Sequence, residues 1–187
     1  MPFSQISQIS PILQYIDKLF PQSLLDVGMG MGQYGFLARI NLEGTNLFHI
    51  QEQRQTRKDE WRIQIDGIEG CEGYMTPVHH YAYHHVMIGD ALKILPTLSD
   101  KSYELVLAID ILEHFSYSDG LIFLSHLKRI AQKSALVSTP KEFIPQDVPA
   151  NPYENHRSLW TWQSLVDNGF KKSLDNDASW IALYETF

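Results

Sequence analysis

The most informative segment of this sequence is Leu24-Leu25-Asp26-Val27-Gly28-Met29-Gly30-Met31-Gly32-Gln33-Tyr34-Gly35. The apolar residues before the first glycine predict a buried strand, and the residues from Gln33 onward predict a helix. Between them, three glycines at alternate positions allow a bound molecule to approach the backbone closely. Because the first N–H groups of a helix have no partner within the helix, this junction predicts a ligand site.

The composition of the chain indicates a soluble globular protein. It has 187 residues, 44% hydrophobic and 20% charged, which predicts a single domain over residues 1–187. The net charge of −7 gives no general attraction to nucleic acid or to an anionic membrane, so we expect neither as a partner. A local basic group at Arg54, Arg57 and Lys58 is the exception. One cysteine, Cys71, excludes an intrachain disulfide, and no secretory signal or membrane-spanning run is evident, so we expect a cytoplasmic protein.

Hydrophobic periodicity predicts alternating strands and helices along the chain. Strands are predicted at 24–27, 62–69, 85–88, 103–109, 134–138, 170–174 and 180–184. Helices are predicted at 4–20, 33–41, 121–131 and 158–168, with a polar insertion at about 42–61 and a proline-rich loop at about 140–157. The last two strands are too close in sequence for a parallel crossover. We therefore expect a doubly wound, Rossmann-like three-layer α/β sandwich, with a mostly parallel seven-stranded sheet and one antiparallel strand near the C-terminus.

Two ligands compete for the glycine loop. The run Gly30-Met31-Gly32-Gln33-Tyr34-Gly35 matches the dinucleotide fingerprint G-x-G-x-x-G by letter, but that fingerprint should begin immediately after its strand. Counted from Gly28, the first residue after the strand, the pattern fails at Gln33. Asp26 at the strand end would repel a pyrophosphate and attract an ammonium group. This carboxylate favours a ligand that carries an amine.

At this point the chain resembles the class I S-adenosylmethionine-dependent methyltransferases, in particular the small ones built of little beyond the core fold. The resembling motifs each follow a predicted strand and occur in the family's order. They are Asp26-Val27-Gly28-Met29-Gly30-Met31-Gly32, Glu69, Gly89-Asp90-Ala91, Asp110-Ile111-Leu112-Glu113-His114 and Ser138-Thr139-Pro140, with a closing Gly169-Phe170.

The resemblance implies S-adenosyl-L-methionine as the cofactor. It assigns the methionine end to Asp26 and the glycine loop, the ribose hydroxyls to Glu69, and the adenine to Asp90 and Ala91. Asp66 is a rival to Glu69, but it falls inside the strand alternation. The complete set of implied cofactor-binding residues is Asp26, Gly28, Met29, Gly30, Gly32, Glu69, Gly70, Asp90, Ala91, Asp110 and Ile111.

Several polar residues have a structural interpretation beside the functional one. Asp110 and Glu113 have the spacing of a helix capping box, which is compatible with cofactor contact. His114 is the candidate catalytic residue, as a general base, although it can equally be a residue that only packs. The histidines between His79 and His85 have no accompanying ligand motif, so we expect no metal site there or elsewhere.

The implied activity is methyl transfer to an acceptor that the motifs do not identify. The segments added to the core are small, so a small-molecule acceptor is expected, with Tyr153 and His156 of the proline-rich loop on the acceptor side. The alternatives are a protein that binds the cofactor without catalysis and, through the displaced fingerprint, an NAD-linked oxidoreductase.

Overall fold

The computed structural model describes residues 4–186, so the two ends of the predicted domain lie outside the described residues. The strands are β1 Ser23–Val27, β2 Phe48–His49, β3 Arg54–Gln55, β4 Gln64–Glu69, β5 His85–Ile88, β6 Tyr103–Ile109, β7 Ala131–Pro140, β8 Lys172–Leu174 and β9 Ser179–Glu185. The α-helices are α1 Ile6–Leu19, α2 Gln33–Glu43, α3 Pro77–Ala82, α4 Ala91–Ile94, α5 Tyr117–Ile130 and α6 Trp162–Asp167.

Seven strands form one sheet in the order β5-β4-β1-β6-β7-β9-β8. All neighbouring strands are parallel except that β9 is antiparallel to both β7 and β8. This is the predicted sheet, with its one antiparallel strand near the C-terminus. Because successive connections run in opposite directions from β1 and from β6, these two neighbouring strands mark the point where the strand order reverses. Ligands of open α/β sheets bind outside the strand ends at such a point.

Helices cover both faces of the sheet, and alternate residues of each central strand face opposite layers. Leu25 and Val106 belong to one apolar cluster with residues of α4, α5 and α6. Leu24 and Leu105 belong to the other, with residues of α1, α2 and α3. Because β1 and β6 are apolar toward both layers, they occupy the middle of the sheet.

The structure adds the short helices α3 and α4 to the predicted elements, and α5 begins at Tyr117 rather than 121. Three further departures concern the insertion, β7 and α6. The polar insertion contains a small hairpin, β2 with β3, where only irregular or partly helical structure was expected. Strand β7 begins at Ala131 rather than 134, where the helix before it ends. Helix α6 begins at Trp162 rather than 158, because Thr161 and Ser164 cap its N-terminus by reciprocal hydrogen bonds of 3.0 and 3.1 Å.

The two arginines of the insertion form ion pairs within the insertion itself. Arg54 donates to both carboxylate oxygens of Glu60, at 2.7 and 2.9 Å, and Arg57 donates to the same carboxylate at 3.2 Å. These pairs hold the hairpin against the turn that follows it. Within residues 4–186, no helix combines the length and the apolarity needed to cross a bilayer.

Candidate functional site

A cavity of about 240 Å³ opens at the carboxyl ends of β1, β4, β5 and β6. It lies at the reversal of strand order, between the glycine loop on one side and the segment after β6 on the other. Eleven of the twelve residues predicted for the site line it: Asp26, Gly28, Met29, Gly30, Glu69, Gly70, Asp90, Ala91, Asp110, Ile111 and His114. The twelfth, Gly32, lies behind the loop as the N-cap of α2, next to the ring of His79.

The glycine loop has a backbone that other residues rarely adopt. Gly28, Gly30 and Gly32 have φ angles of 74°, 53° and 82°, in the left-handed region. At Gly28 space is also limiting, because an added Cβ would lie 2.5 Å from Cδ1 of Ile111. The spacing of the glycines is therefore required by the turn itself, and it brings the start of α2 to the rim of the cavity.

Asp26 is the most deeply buried carboxylate of the cavity wall. It is 2% exposed, and its Oδ2 accepts a hydrogen bond of 2.7 Å from the hydroxyl of Tyr83. Burial raises the pKa of Asp26 to about 6, against the opposing effect of hydrogen bonds from Tyr83 and from the backbone of Gly35. A cation bound in the cavity would favour the ionised form of this group.

Gly35, which completes the dinucleotide pattern by letter, has a packing role. A Cβ at this position would lie 2.1 Å from Cζ of Tyr83 and 2.2 Å from its hydroxyl oxygen. The absence of a side chain in the first turn of α2 is what allows Tyr83 to reach Asp26. The third glycine of the apparent fingerprint therefore serves the buried Asp26–Tyr83 pair.

Glu69 lies at the end of β4 and is held by the backbone on both sides. Its Oε2 accepts from the Gly30 N–H and its Oε1 from the Cys71 N–H, both at 2.9 Å. Burial raises the pKa of Glu69, while these hydrogen bonds lower it. The rival acid Asp66 lies three residues earlier on β4 and accepts from the hydroxyl of Tyr103 at 2.7 Å. Asp66 does not line the cavity, so its position supports the preference for Glu69.

The segment after β5, the edge strand of the sheet, adds a further acid to the cavity. Asp90 is the N-cap of α4, and its Oδ1 accepts from the Leu92 N–H at 2.9 Å. Ala91, the first residue of α4, is buried and also lines the cavity. The cap fixes the orientation of this carboxylate.

Asp110 follows β6 in a strained conformation, with a φ of 48°. Its backbone N–H donates to the carbonyl of Ser138, and its Oδ1 accepts from the Ser138 hydroxyl at 2.8 Å. The expected capping box with Glu113 is absent. The short helix Leu112–His114 has Ile111 as its N-cap, because the carboxylate of Asp110 is directed to partners on other elements.

Glu113 and His114 differ sharply in environment although they are adjacent. Glu113 is 4% exposed, and burial raises its pKa to about 8, with the charge of Asp110 adding to the effect. His114 lines the cavity, and burial lowers its pKa. Nδ1 of His114 lies 3.3 Å from the carbonyl oxygen of Asn155, which requires Nδ1 to carry the proton and leaves the lone pair on Nε2.

The proline-rich loop closes the cavity through contacts with the segment after β4. The ring of Tyr153 packs against Gly70, where an added Cβ would meet it at 3.1 Å. Tyr74 donates to Glu154 at 2.9 Å, and Asn151 donates to the hydroxyl of Tyr74 at 2.8 Å. Tyr153 was predicted on the acceptor side. Its ring contacts Gly70, the residue after Glu69, which is implied to bind the ribose.

Three of the four histidines between His79 and His85 have separate partners, and His80 is exposed. His79 accepts from the Thr76 N–H through Nδ1 at 3.0 Å and donates through Nε2 to the Gly30 carbonyl at 2.9 Å. His84 accepts from the Ile65 N–H, and His85 contacts Asp66. Among them, His79 has the clearest role, because it fixes the glycine loop.

Sequence reasoning missed the contributions of α1 and its surroundings to the site. Gln8 of α1 is fully buried and donates to Asp110, while Ser4, before α1, and Tyr34 of α2 line the cavity. The signal available in the sequence is that Gln8 is a polar residue on the same helical face as the apolar Ile12 and Ile16. A buried polar residue on such a face needs a partner, but the partner cannot be identified from the spacing.

No protein-family model matches the sequence, and no curated protein matches it. Solved structures do match. The PH0226 protein from Pyrococcus horikoshii OT3 has 16% identity and a TM-score of 0.64, covering 96% of this chain and 88% of that one. A SAM-dependent methyltransferase from Archaeoglobus fulgidus has 13% identity and a TM-score of 0.60, with coverage of 96% and 94%. Magnesium protoporphyrin IX methyltransferase from Synechocystis PCC 6803, crystallised with SAH, has 18% identity and a TM-score of 0.55, with coverage of 94% and 80%. The chain therefore has the class I methyltransferase fold.

Proposed function

We propose that this protein transfers a methyl group from S-adenosylmethionine to a small-molecule acceptor. The main observation behind this proposal is a row of carboxylates at the carboxyl ends of the parallel strands. Asp90, Glu69, Asp26 and Asp110 lie at the carboxyl ends of the strands β5, β4, β1 and β6, which are adjacent in that order. Such a row of negative charges favours an elongated ligand that carries positively charged groups.

The charge of the cavity distinguishes between the candidate ligands. Among the residues that line the cavity within the described part of the chain, six are acidic and one is an arginine. They are Asp26, Glu69, Asp90, Asp110, Asp119, Glu154 and Arg157. S-adenosylmethionine carries a sulfonium and an ammonium group, and one carboxylate. NAD carries a pyrophosphate, which Asp26 and Glu69 beside the glycine loop would repel. The sheet is also unlike a dinucleotide fold, whose usual order 3-2-1-4-5-6 lacks the antiparallel strand β9.

Different residues of the cavity would bind different parts of the cofactor. Asp26 would attract the ammonium group, with the unengaged N–H groups at the start of α2 facing the carboxylate. Glu69 would accept from the ribose hydroxyls, which are paired donors that one carboxylate can accept together. Asp90 would accept from the adenine amino group. Met29 and Ile111 supply apolar contacts on the two sides.

Catalysis in this arrangement is mainly positioning. S-adenosylmethionine supplies an already activated methyl group on a sulfonium. The chain's task is to hold an acceptor in line with that methyl group at near-attack distance and to exclude water. Residues of the loop at 140–157 line the cavity together with His114, whose Nδ1 contact with the Asn155 carbonyl leaves the lone pair on Nε2. When the acceptor is a hydroxyl or a protonated amine, His114 is the residue placed to take its proton.

A turnover assay tests the proposal. The protein is incubated with S-adenosylmethionine and a panel of small hydroxyl, amine, carboxylate and thiol acceptors, and release of S-adenosylhomocysteine is measured. We expect acceptor-dependent release for at least one class. Tight cofactor binding with no release from any class would favour the binding-only alternative, and NAD-dependent oxidation of a hydroxyl acceptor would favour the oxidoreductase.

A further inference from the structure

Three potential metal ligands converge at the side of the cavity opposite the glycine loop. One carboxylate oxygen of Glu113 and one ring nitrogen each of His114 and His156 lie within 4.8 Å of one another. Glu113 and His114 come from the short helix after β6, whereas His156 comes from the proline-rich loop. The convergence is therefore tertiary, which explains why no spacing in the sequence indicates it.

The hydrogen bonds of both imidazoles leave the same nitrogen available. Nδ1 of His114 contacts the Asn155 carbonyl oxygen at 3.3 Å, and Nδ1 of His156 contacts the Ile144 carbonyl oxygen at 2.6 Å. A carbonyl can only accept, so both rings carry their proton on Nδ1 and keep a lone pair on Nε2. Metal-binding histidines typically have this second partner, which fixes the tautomer and orients the ring.

One oxygen of the Glu113 carboxylate, Oε2, is buried without a partner within hydrogen-bond distance among residues 4–186, although the nearby Thr139 hydroxyl acts to lower the pKa of this group. A buried carboxylate oxygen without a donor is costly unless a cation or a hydrogen-bond donor compensates it. No Lys or Arg forms an ion pair with Glu113 in the part of the chain that the structure describes.

The backbone already holds the two segments together. The carbonyl oxygen of Glu113 accepts from the Arg157 N–H at 2.8 Å and from the Ser158 N–H at 3.2 Å, and the His156 N–H donates to the Gln146 carbonyl at 3.0 Å. Ligands bound to one metal at about 2.1 Å lie about 3.3 Å apart, so binding needs a contraction of at most about 1.5 Å.

We propose that Glu113, His114 and His156 form a binding site for one divalent transition-metal ion. Two imidazoles with one carboxylate favour ions such as Zn²⁺, Co²⁺, Mn²⁺ or Fe²⁺ over Mg²⁺ and Ca²⁺, which prefer oxygen ligands. Three protein ligands leave at least one coordination position open, as in catalytic sites.

The site also indicates the chemistry of the acceptor, an inference that rests on the proposed function. Because His114 lines the cavity, an open coordination position would face the methyl acceptor. A metal ion there would lower the pKa of a bound hydroxyl, so that an oxygen acceptor would lose its proton to solvent water and attack the methyl group as the metal-bound alkoxide or phenoxide. His114 would then act through the metal rather than by taking the proton itself.

Cobalt titration of the chelator-treated protein tests the site. We expect one Co²⁺ to bind per chain, with visible d–d absorption, and Zn²⁺ to displace it. His156→Ala and the nearly isosteric Glu113→Gln should each weaken Co²⁺ binding by at least about tenfold. His80→Ala removes an exposed imidazole on α3 and is the matched control, for which we expect wild-type affinity.

Two measurements separate the possible failures. Circular dichroism and binding of S-adenosylhomocysteine to the metal-free variants establish that they are folded. Absence of Co²⁺ binding to a wild-type protein that binds S-adenosylhomocysteine would overturn the metal site alone, as would unchanged Co²⁺ affinity in both variants. Co²⁺ binding by a protein that does not bind S-adenosylhomocysteine would leave the site intact and contradict the proposed function.

Discussion

The side-chain amide of Gln8 donates to both carboxylate oxygens of Asp110, at 3.0 and 2.9 Å. The two residues are 102 positions apart, on α1 and after β6. Gln8 also contacts the hydroxyl of Ser179 at 3.2 Å, so one buried amide joins three elements around the cavity. These hydrogen bonds attach helix α1, which precedes the core of the fold, to the candidate cofactor site.

Replacement of Gln8 tests this attachment. Gln8→Ala leaves part of the Asp110 carboxylate without a donor, and we expect a loss of about 1.5–3 kcal/mol in the free energy of unfolding. Gln14→Ala makes the same change on an exposed position of the same helix, and its effect should stay within about 0.5 kcal/mol. Urea denaturation measures both. Equal effects of the two substitutions would show that the Gln8–Asp110 contact contributes nothing.

Glu69 and Asp66 form a matched pair for the ribose contact. Both are buried acids on β4, but only Glu69 lines the cavity. Glu69→Gln should weaken S-adenosylmethionine binding by about 1.5–3 kcal/mol, or roughly 10- to 150-fold, because charge-assisted hydrogen bonds are lost. Asp66→Asn should leave the affinity unchanged. If calorimetry gave the reverse pattern, the ribose contact would belong to Asp66.

Asp26 should couple cofactor binding to proton release. Its pKa of about 6 leaves it about half protonated at pH 6, whereas the α-amino group of the cofactor, with a pKa of about 7.7–8.0, is fully charged. An ammonium group next to Asp26 favours the carboxylate, so binding at pH 6 should release up to about half a proton from this group.

Calorimetry in two buffers of different ionisation enthalpy measures this proton release. In Asp26→Asn the release should fall, because the titrating carboxyl is gone. Proton uptake by the wild type, or a proton release that is the same in Asp26→Asn, would show that Asp26 does not contact the ammonium group.

Gly35 provides a test of the buried pair beneath the cavity. Gly35→Ala inserts a methyl group 2.1 Å from the ring of Tyr83, so we expect a loss of about 1–3 kcal/mol or more in unfolding free energy. Gly73→Ala is the control, since its new Cβ would meet only Cys71 Sγ at 3.7 Å. Thermal and urea unfolding compare the two. A Gly35→Ala protein as stable as the control would mean that Tyr83 does not require the space.

The strands and their terminal acids were predictable because they depend on local patterns. Alternating or continuous apolar runs located β1, β4, β5 and β6, and the carboxyl ends of parallel strands share one edge of a sheet. The positions of Glu69 and Asp90 beside the cavity could therefore be predicted without knowledge of any long-range contact. The sequence-based expectation of a seven-stranded sheet with one antiparallel strand is confirmed on the same grounds.

The partners of those acids were not predictable, because they come from distant parts of the chain. Asp26 is bonded to Tyr83, 57 residues away, and Asp110 to Gln8. The local pattern at Asp110 even suggested the wrong structure, a capping box, since its positive φ depends on Ser138 in the neighbouring strand. The contact between His156 and His114 could likewise not be predicted, because it depends on how the proline-rich loop packs against the segment after β6.

Calorimetric titration of the purified protein with S-adenosylmethionine and, separately, with NAD tests the central claim most directly. A cavity lined by Asp26, Glu69, Asp90 and Asp110 should bind one S-adenosylmethionine per chain and show no saturable binding of NAD. Saturable binding of NAD together with no binding of S-adenosylmethionine would contradict the account.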